Sequence, residues 1–154
     1  MFERCHSPRE IAHVYRRMGF EVSTSFQRVA LIASRSLGAV TMPASTGVLV
    51  RQVVEQDDPT TTLPIISYQR AQREWVFLVG PPGGNEARGA TLAALEEAGI
   101  RVLDSGQRVW LPMTDRPMGW YWVSPPVSAR ILPSRTTVIA AARQLTAAHR
   151  SATR

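Results

Sequence analysis

Extended apolar segments come in adjacent pairs along this chain, each pair joined by a few polar or turn-forming residues. Phe20 to Thr24 and Arg28 to Ala33 flank Ser25-Phe26-Gln27. Leu63 to Tyr68 and Trp75 to Val79 flank Gln69-Arg70-Ala71-Gln72-Arg73. Ile100 to Leu103 and Gln107 to Leu111 flank Asp104-Ser105-Gly106, an Asp/Ser/Gly turn that signals a hairpin. Parallel strands need a long crossover between them, usually a helix. These connections are too short for that, so the pattern predicts an α+β domain with a largely antiparallel or mixed sheet. Ala39 to Met42 and Trp120 to Val123 add two more strand-like runs, the second stopped by Pro125-Pro126.

Helical spacing and end signals predict about four helices. Ser7, Pro8 and Glu10 form a capping box before Ile11, Val14, Tyr15 and Met18, and Gly19 suits the C-terminal cap. The opposite face of that helix carries Arg9, His13, Arg16 and Arg17. Pro43 opens a second helix with Leu49, Val50, Val53 and Val54 as its apolar stripe, ended by Asp57-Asp58-Pro59. Asn85 caps a third, running to about Ala98 with Ala90, Leu92, Leu95 and Ala98 inward and Gly99 as its stop. Ser134 caps the last, which buries Val138, Ile139, Ala142 and Leu145 and frays into Ala148 to Arg154. Residues 1–147 are expected to form one domain and 148–154 a mobile tail.

A chain of 154 residues buries roughly 70% of the surface that its unfolded form exposes, enough for a core without staples. Cys5 is the single cysteine, so no internal disulfide forms. The first residues lack the basic start and apolar run of a signal peptide, and no apolar stretch approaches the roughly 20 residues of a membrane helix. A cytoplasmic protein with no membrane contact is expected. The net charge is +6 with a pI near 10.9, which favours polyanionic partners. All 18 basic residues are arginine, and Asn85 is the only asparagine. That bias matches a GC-rich coding sequence, so part of the arginine excess reflects codon usage.

No residue set announces catalysis. The loop Gly80-Pro81-Pro82-Gly83-Gly84 sits where phosphate loops sit, but it lacks their lysine and hydroxyl and loses N–H donors to proline. It reads as a surface connector. Cys5, His6 and His13 are too few for a zinc set. Asp57, Asp58, Asp104 and Asp115 fall in turns and caps, and no strand carries an alternating carboxylate pair. Catalytic residues, metal ligands and cofactors are therefore not assigned. Trp120 and Trp122 share one face of a strand, with Tyr121 on the other. They are expected to be largely buried core residues, with Tyr121 the more accessible. An exposed pair beside Arg116 or Arg130 would instead be a stacking platform for unpaired bases. Arg9, Arg16, Arg17, Arg116 and Arg130 are the candidate nucleic-acid contacts.

Several short motifs occur in order. They are Gly38-Ala39-Val40-Thr41-Met42-Pro43-Ala44, Trp75-Val76-Phe77-Leu78-Val79-Gly80-Pro81, Val109-Trp110-Leu111-Pro112, Trp122-Val123-Ser124-Pro125-Pro126 and Leu132-Pro133-Ser134. Over residues 35 to 145 the chain resembles small actinobacterial proteins that look like the N-terminal domain of bifunctional DNA primase/polymerases. The resemblance implies a primase/polymerase-like domain, yet the family's paired acidic residues and Ser-x-His element have no counterpart here. The expected function is a non-catalytic accessory or regulatory protein acting through nucleic-acid or protein contacts. The alternative is a small-molecule-binding or enzymatic domain whose site is assembled from scattered loops.

Overall fold

A computed structural model describes residues 1–84, 89–103 and 105–152. The elements run α1 (Pro8–Arg17), β1 (Val22–Ser25), β2 (Arg28–Ile32), β3 (Gly38–Pro43), α2 (Ala44–Asp57), β4 (Ile65–Tyr68), β5 (Glu74–Val79), α3 (Ala90–Glu97), β6 (Arg101–Leu103), β7 (Arg108–Trp110), β8 (Tyr121–Ser124) and α4 (Arg135–Ala152). The strands form two antiparallel sheets, β1-β2-β7 and β6-β3-β5-β4-β8. The α+β class expected from the paired runs is the class observed.

The larger sheet is the middle layer, and strand alternation explains how. Ala39, Ile66, Tyr68, Val76 and Leu78 point to one side, where they meet α1 and the inner face of the smaller sheet. Val40, Met42, Ile65, Phe77 and Val79 point to the other, against α2, α3 and α4. Successive side chains of a strand leave opposite faces, so a strand covered on both sides is apolar throughout. That is why β3, apart from the buried Thr41, and the end of β5 read as apolar runs.

Local signals built α1 as expected. Ser7 Oγ accepts the Glu10 N–H at 3.3 Å while the Glu10 carboxylate accepts the Ser7 N–H at 3.0 Å. Gly19, at φ +90°, then turns the chain in the left-handed region that glycine favours. Ile11, Ala12 and Tyr15 are buried, and Arg9, His13, Arg16 and Arg17 are exposed. Ser134 caps α4 by accepting the Thr137 N–H at 3.1 Å. The helix continues to Ala152, and residues 153–154 lie outside the described residues.

Three expectations are corrected. The runs around Asp104-Ser105-Gly106 do not pair with each other. β6 pairs with β3 through Ala39 and Leu103, whereas β7 pairs with β2 through Leu31 and Val109. β2 and β3, also neighbours in sequence, straddle the same gap between the sheets, so β6 follows β3 and β7 follows β2. Gly106 donates its N–H to the Ala33 carbonyl, and Ala33 donates to Gln107, both at 2.8 Å, which ties the two crossings together. Asp104 itself lies outside the described residues. Second, α2 buries Gly47, Val50 and Val54, leaving Leu49 48% exposed, because its contact line runs through the smaller Gly47. Third, α3 buries Leu95 but not Ala90 or Ala98, and its expected cap, Asn85, lies outside the described residues. Among the described residues no helix is long and apolar enough to cross a membrane.

Candidate functional site

The outer face of the smaller sheet concentrates arginine and tryptophan. Along β2, Val29 and Leu31 turn into the core, so Arg28, Ala30 and Ile32 turn to the opposite face, on which Arg28 and Ile32 are exposed while Ala30 is fully covered. The register sets Ala30 opposite Trp110 and Ile32 opposite Arg108. Arg28, Arg108 and Trp110 therefore share the outer face. Trp110 is anchored from below, because the buried Tyr68 hydroxyl donates to its carbonyl. Trp120, immediately before β8, completes the group. Its ring lies 6.5 Å from that of Trp110 at an interplanar angle of 23°, and 5.2 Å from that of Tyr68.

The Arg28 guanidinium stands 4.4 Å over the Trp120 ring and 5.9 Å from Trp110, while Arg108 stands 5.1 Å over Trp110. Such cation–π contacts are worth about 0.5–1 kcal/mol at an exposed site. Among the described residues neither Arg28 nor Arg108 has a carboxylate within 4.0 Å. Other arginines are matched: Glu74 holds Arg70 at 3.0 Å and Arg101 at 2.9 Å, and Glu55 holds Arg51 at 2.6 Å. The band thus presents positive charge without a described counter-ion. Beside it opens a groove of about 560 Å³ lined by Arg28, Gln69, Leu111, Met113, Met118 and Trp120.

The structure brings only part of the expected set to this place. Arg116 lies in the loop whose Thr114 and Met118 line the groove. Arg9, Arg16 and Arg17 stand on the exposed face of α1, whose buried face packs beneath the smaller sheet. Arg16 also donates to the Val22 carbonyl at 3.1 Å and lines a separate groove with Ser23 and Ile32, at the end of β2 away from Arg28. Arg130 sits in a turn that Ala129 ties to the end of α1 by donating to the Met18 carbonyl at 2.9 Å. Sequence reasoning missed Arg28, Arg108 and Trp110 as one group. The alternation Arg28-Val29-Ala30-Leu31-Ile32 carried a signal for one strand, but the pairing of β2 with β7 did not.

Trp120 and Trp122 do share a face, as expected, and both pack against the core cluster. Most of each ring is covered, in keeping with a mainly structural role, although neither is sealed in the core, and Tyr121 is partly buried to the same degree. Neither ring has a sheet wide enough above it to be covered completely, because β8 is an edge strand. Their roles differ. Trp122 donates Nε1–H to the Tyr15 hydroxyl at 2.9 Å, and Tyr15 donates to the Pro112 carbonyl at 2.6 Å. Burial pushes the hydroxyls of Tyr15 and Tyr68 well above the ordinary phenol range, keeping both protonated as donors. Tyr121 turns to the other side, with Arg73 5.5 Å over its ring.

The glycine loop is a connector docked on the start of α4. Gly80 donates to the Pro133 carbonyl at 2.8 Å and Arg135 to that of Pro81 at 3.4 Å. Asp58 caps α2 and accepts from Thr60 and Thr61, and Asp115 accepts from the Phe2 N–H at 2.6 Å. Cys5 is partly buried against the core. Among the described residues no group of three or more His, Cys, Asp or Glu side chains could hold a metal ion. Compared with known family models, curated proteins and solved structures, the chain matches none.

Proposed function

We propose that this chain is a non-catalytic accessory or regulatory module that binds single-stranded nucleic acid on the Arg28–Trp110–Trp120 face. The observation that carries the reading is the Arg28 guanidinium 4.4 Å over Trp120, with a second tryptophan beside it and no described counter-ion. A guanidinium and a nucleobase are both flat and stack on the same aromatic faces, so a ring that holds one accepts the other. Displaced from the ring, Arg28 is free to meet the phosphate. The +6 charge supplies long-range attraction. The resemblance to a primase/polymerase domain without its acidic residues fits a domain that holds a strand and does not extend it.

Fluorescence anisotropy with a labelled oligothymidylate of about 20 nucleotides tests this, a length above the roughly 4–16 nucleotides that an OB-fold module covers. Arg28→Ala with Arg108→Ala is expected to weaken binding and to lower the salt slope by up to about two, one for each lost phosphate contact. Arg16→Ala with Arg17→Ala is the comparison, and a larger effect there would move the contact to α1. No binding, or nucleotide incorporation with magnesium or manganese, would overturn the proposal. The alternative, a small-molecule site, draws on an apolar groove of about 520 Å³ lined by Leu49, Ala94, Ala98 and Leu145 between α2, α3 and α4. A thermal shift with apolar ligands, absent with oligonucleotides, would favour it.

A further inference from the structure

The turn between β1 and β2 combines strain with exposure. Ser25 pairs with Arg28, which leaves Phe26 and Gln27 as a two-residue loop. Both have positive φ, 50° and 57°. Positive φ at both central residues is the I′ geometry, which asks for Asn-Gly or Asp-Gly, and a bulky residue there is an outlier. Phe26 is also 85% exposed. Its ring contributes almost nothing to the packing of this chain, and its backbone conformation works against the hairpin. Strained residues of this kind gather at functional sites.

Its position gives the ring a partner. Arg28, the last residue of the turn, is the arginine that reaches Trp120, and Phe26 lies only two residues before it in the chain. Met118, which lines the groove together with Arg28 and Trp120, is 69% exposed. A ligand lying along this face meets apolar surface at the tip, cations at Arg28 and Arg108, and stacked indoles behind them. A partner that is both anionic and aromatic matches all of these, and unpaired nucleic acid is such a partner.

Resting on the reading above, we infer that Phe26 is a base-stacking finger that extends the Trp110–Trp120 platform by one nucleobase. The test is the double variant Phe26→Asn with Gln27→Gly, which installs the residues that the turn geometry favours. It is expected to raise the melting temperature while weakening binding of the oligothymidylate by roughly 5- to 150-fold, the equivalent of one lost stack. On an oligonucleotide of the same length with abasic sites, which keeps the phosphates and lacks the bases, the variant and the wild type are expected to bind alike. An unchanged affinity in the variant, with Arg28→Ala still weakening binding, would overturn the finger and leave the platform standing. Equal losses on the normal and abasic strands would also overturn it, since stacking would then not be the cause. A wild-type protein that binds no oligonucleotide would overturn both proposals.

Discussion

The indole N–H of Trp122 donates to the Tyr15 hydroxyl at 2.9 Å, and that hydroxyl donates to the Pro112 carbonyl at 2.6 Å. One buried oxygen thereby joins the edge strand β8, the helix α1 and the segment after β7. Tyr15→Phe strands an N–H and a carbonyl at once. It is expected to cost about 1–3 kcal/mol, read as a lower urea midpoint with an unchanged m value. Trp122→Phe and the double variant complete the cycle, with a coupling of about 0.5–3 kcal/mol expected. Strict additivity would mean the bond carries no net energy.

Gly47 sits against the Trp75 ring. A Cβ there would stand 2.7 Å from Cε3 and 3.1 Å from Cβ of Trp75. Alanine in a helix interior normally gains up to about 1 kcal/mol over glycine, whereas overpacking costs about 1–3 kcal/mol. The clash involves the inner part of a large side chain held between α2 and β5, so the cost is expected to win. Gly47→Ala lowers the melting temperature in the wild type and raises it in a Trp75→Leu background. A rise in both would show that the ring moves aside freely.

Asp58 accepts from the hydroxyls of Thr60 and Thr61, each at 2.6 Å, and from the Thr60 N–H at 3.0 Å. The hydroxyl bonds foremost, then the N–H, hold its carboxyl below the ordinary range. A carboxyl depressed in the folded state adds stability above its unfolded pKa of about 3.9 and loses it as the pH falls through the folded value. Asp58→Asn is therefore expected to flatten the acid limb of stability below about pH 4. Urea midpoints across that range check it, and parallel acid limbs would refute the assignment.

The features legible in the sequence were local ones. The Ser7–Glu10 capping box, the Gly19 stop, the Ser134 cap and the two hairpins β1–β2 and β4–β5 each depend on residues close together in the chain. Side-chain hydrogen bonds, turn dihedrals and apolar periodicity act at that range. The exposed basic face of α1 was equally readable, because helical spacing alone separates Arg9, His13, Arg16 and Arg17 from Ile11 and Tyr15.

By itself the sequence determined an α+β domain with a largely antiparallel or mixed sheet, about four helices and two of its hairpins. Only the tertiary structure decided that β6 and β7 part at Gly106 to enter different sheets, and that Arg28, Arg108, Trp110 and Trp120 meet on one face. Ala30 and Trp110 are partners although half the chain lies between them. A residue's own strand settles which way its side chain points. Which side chains it points alongside is settled by the pairing register, and that register is chosen by the burial of Val29, Leu31 and Val109 in a core shared with α1 and the larger sheet.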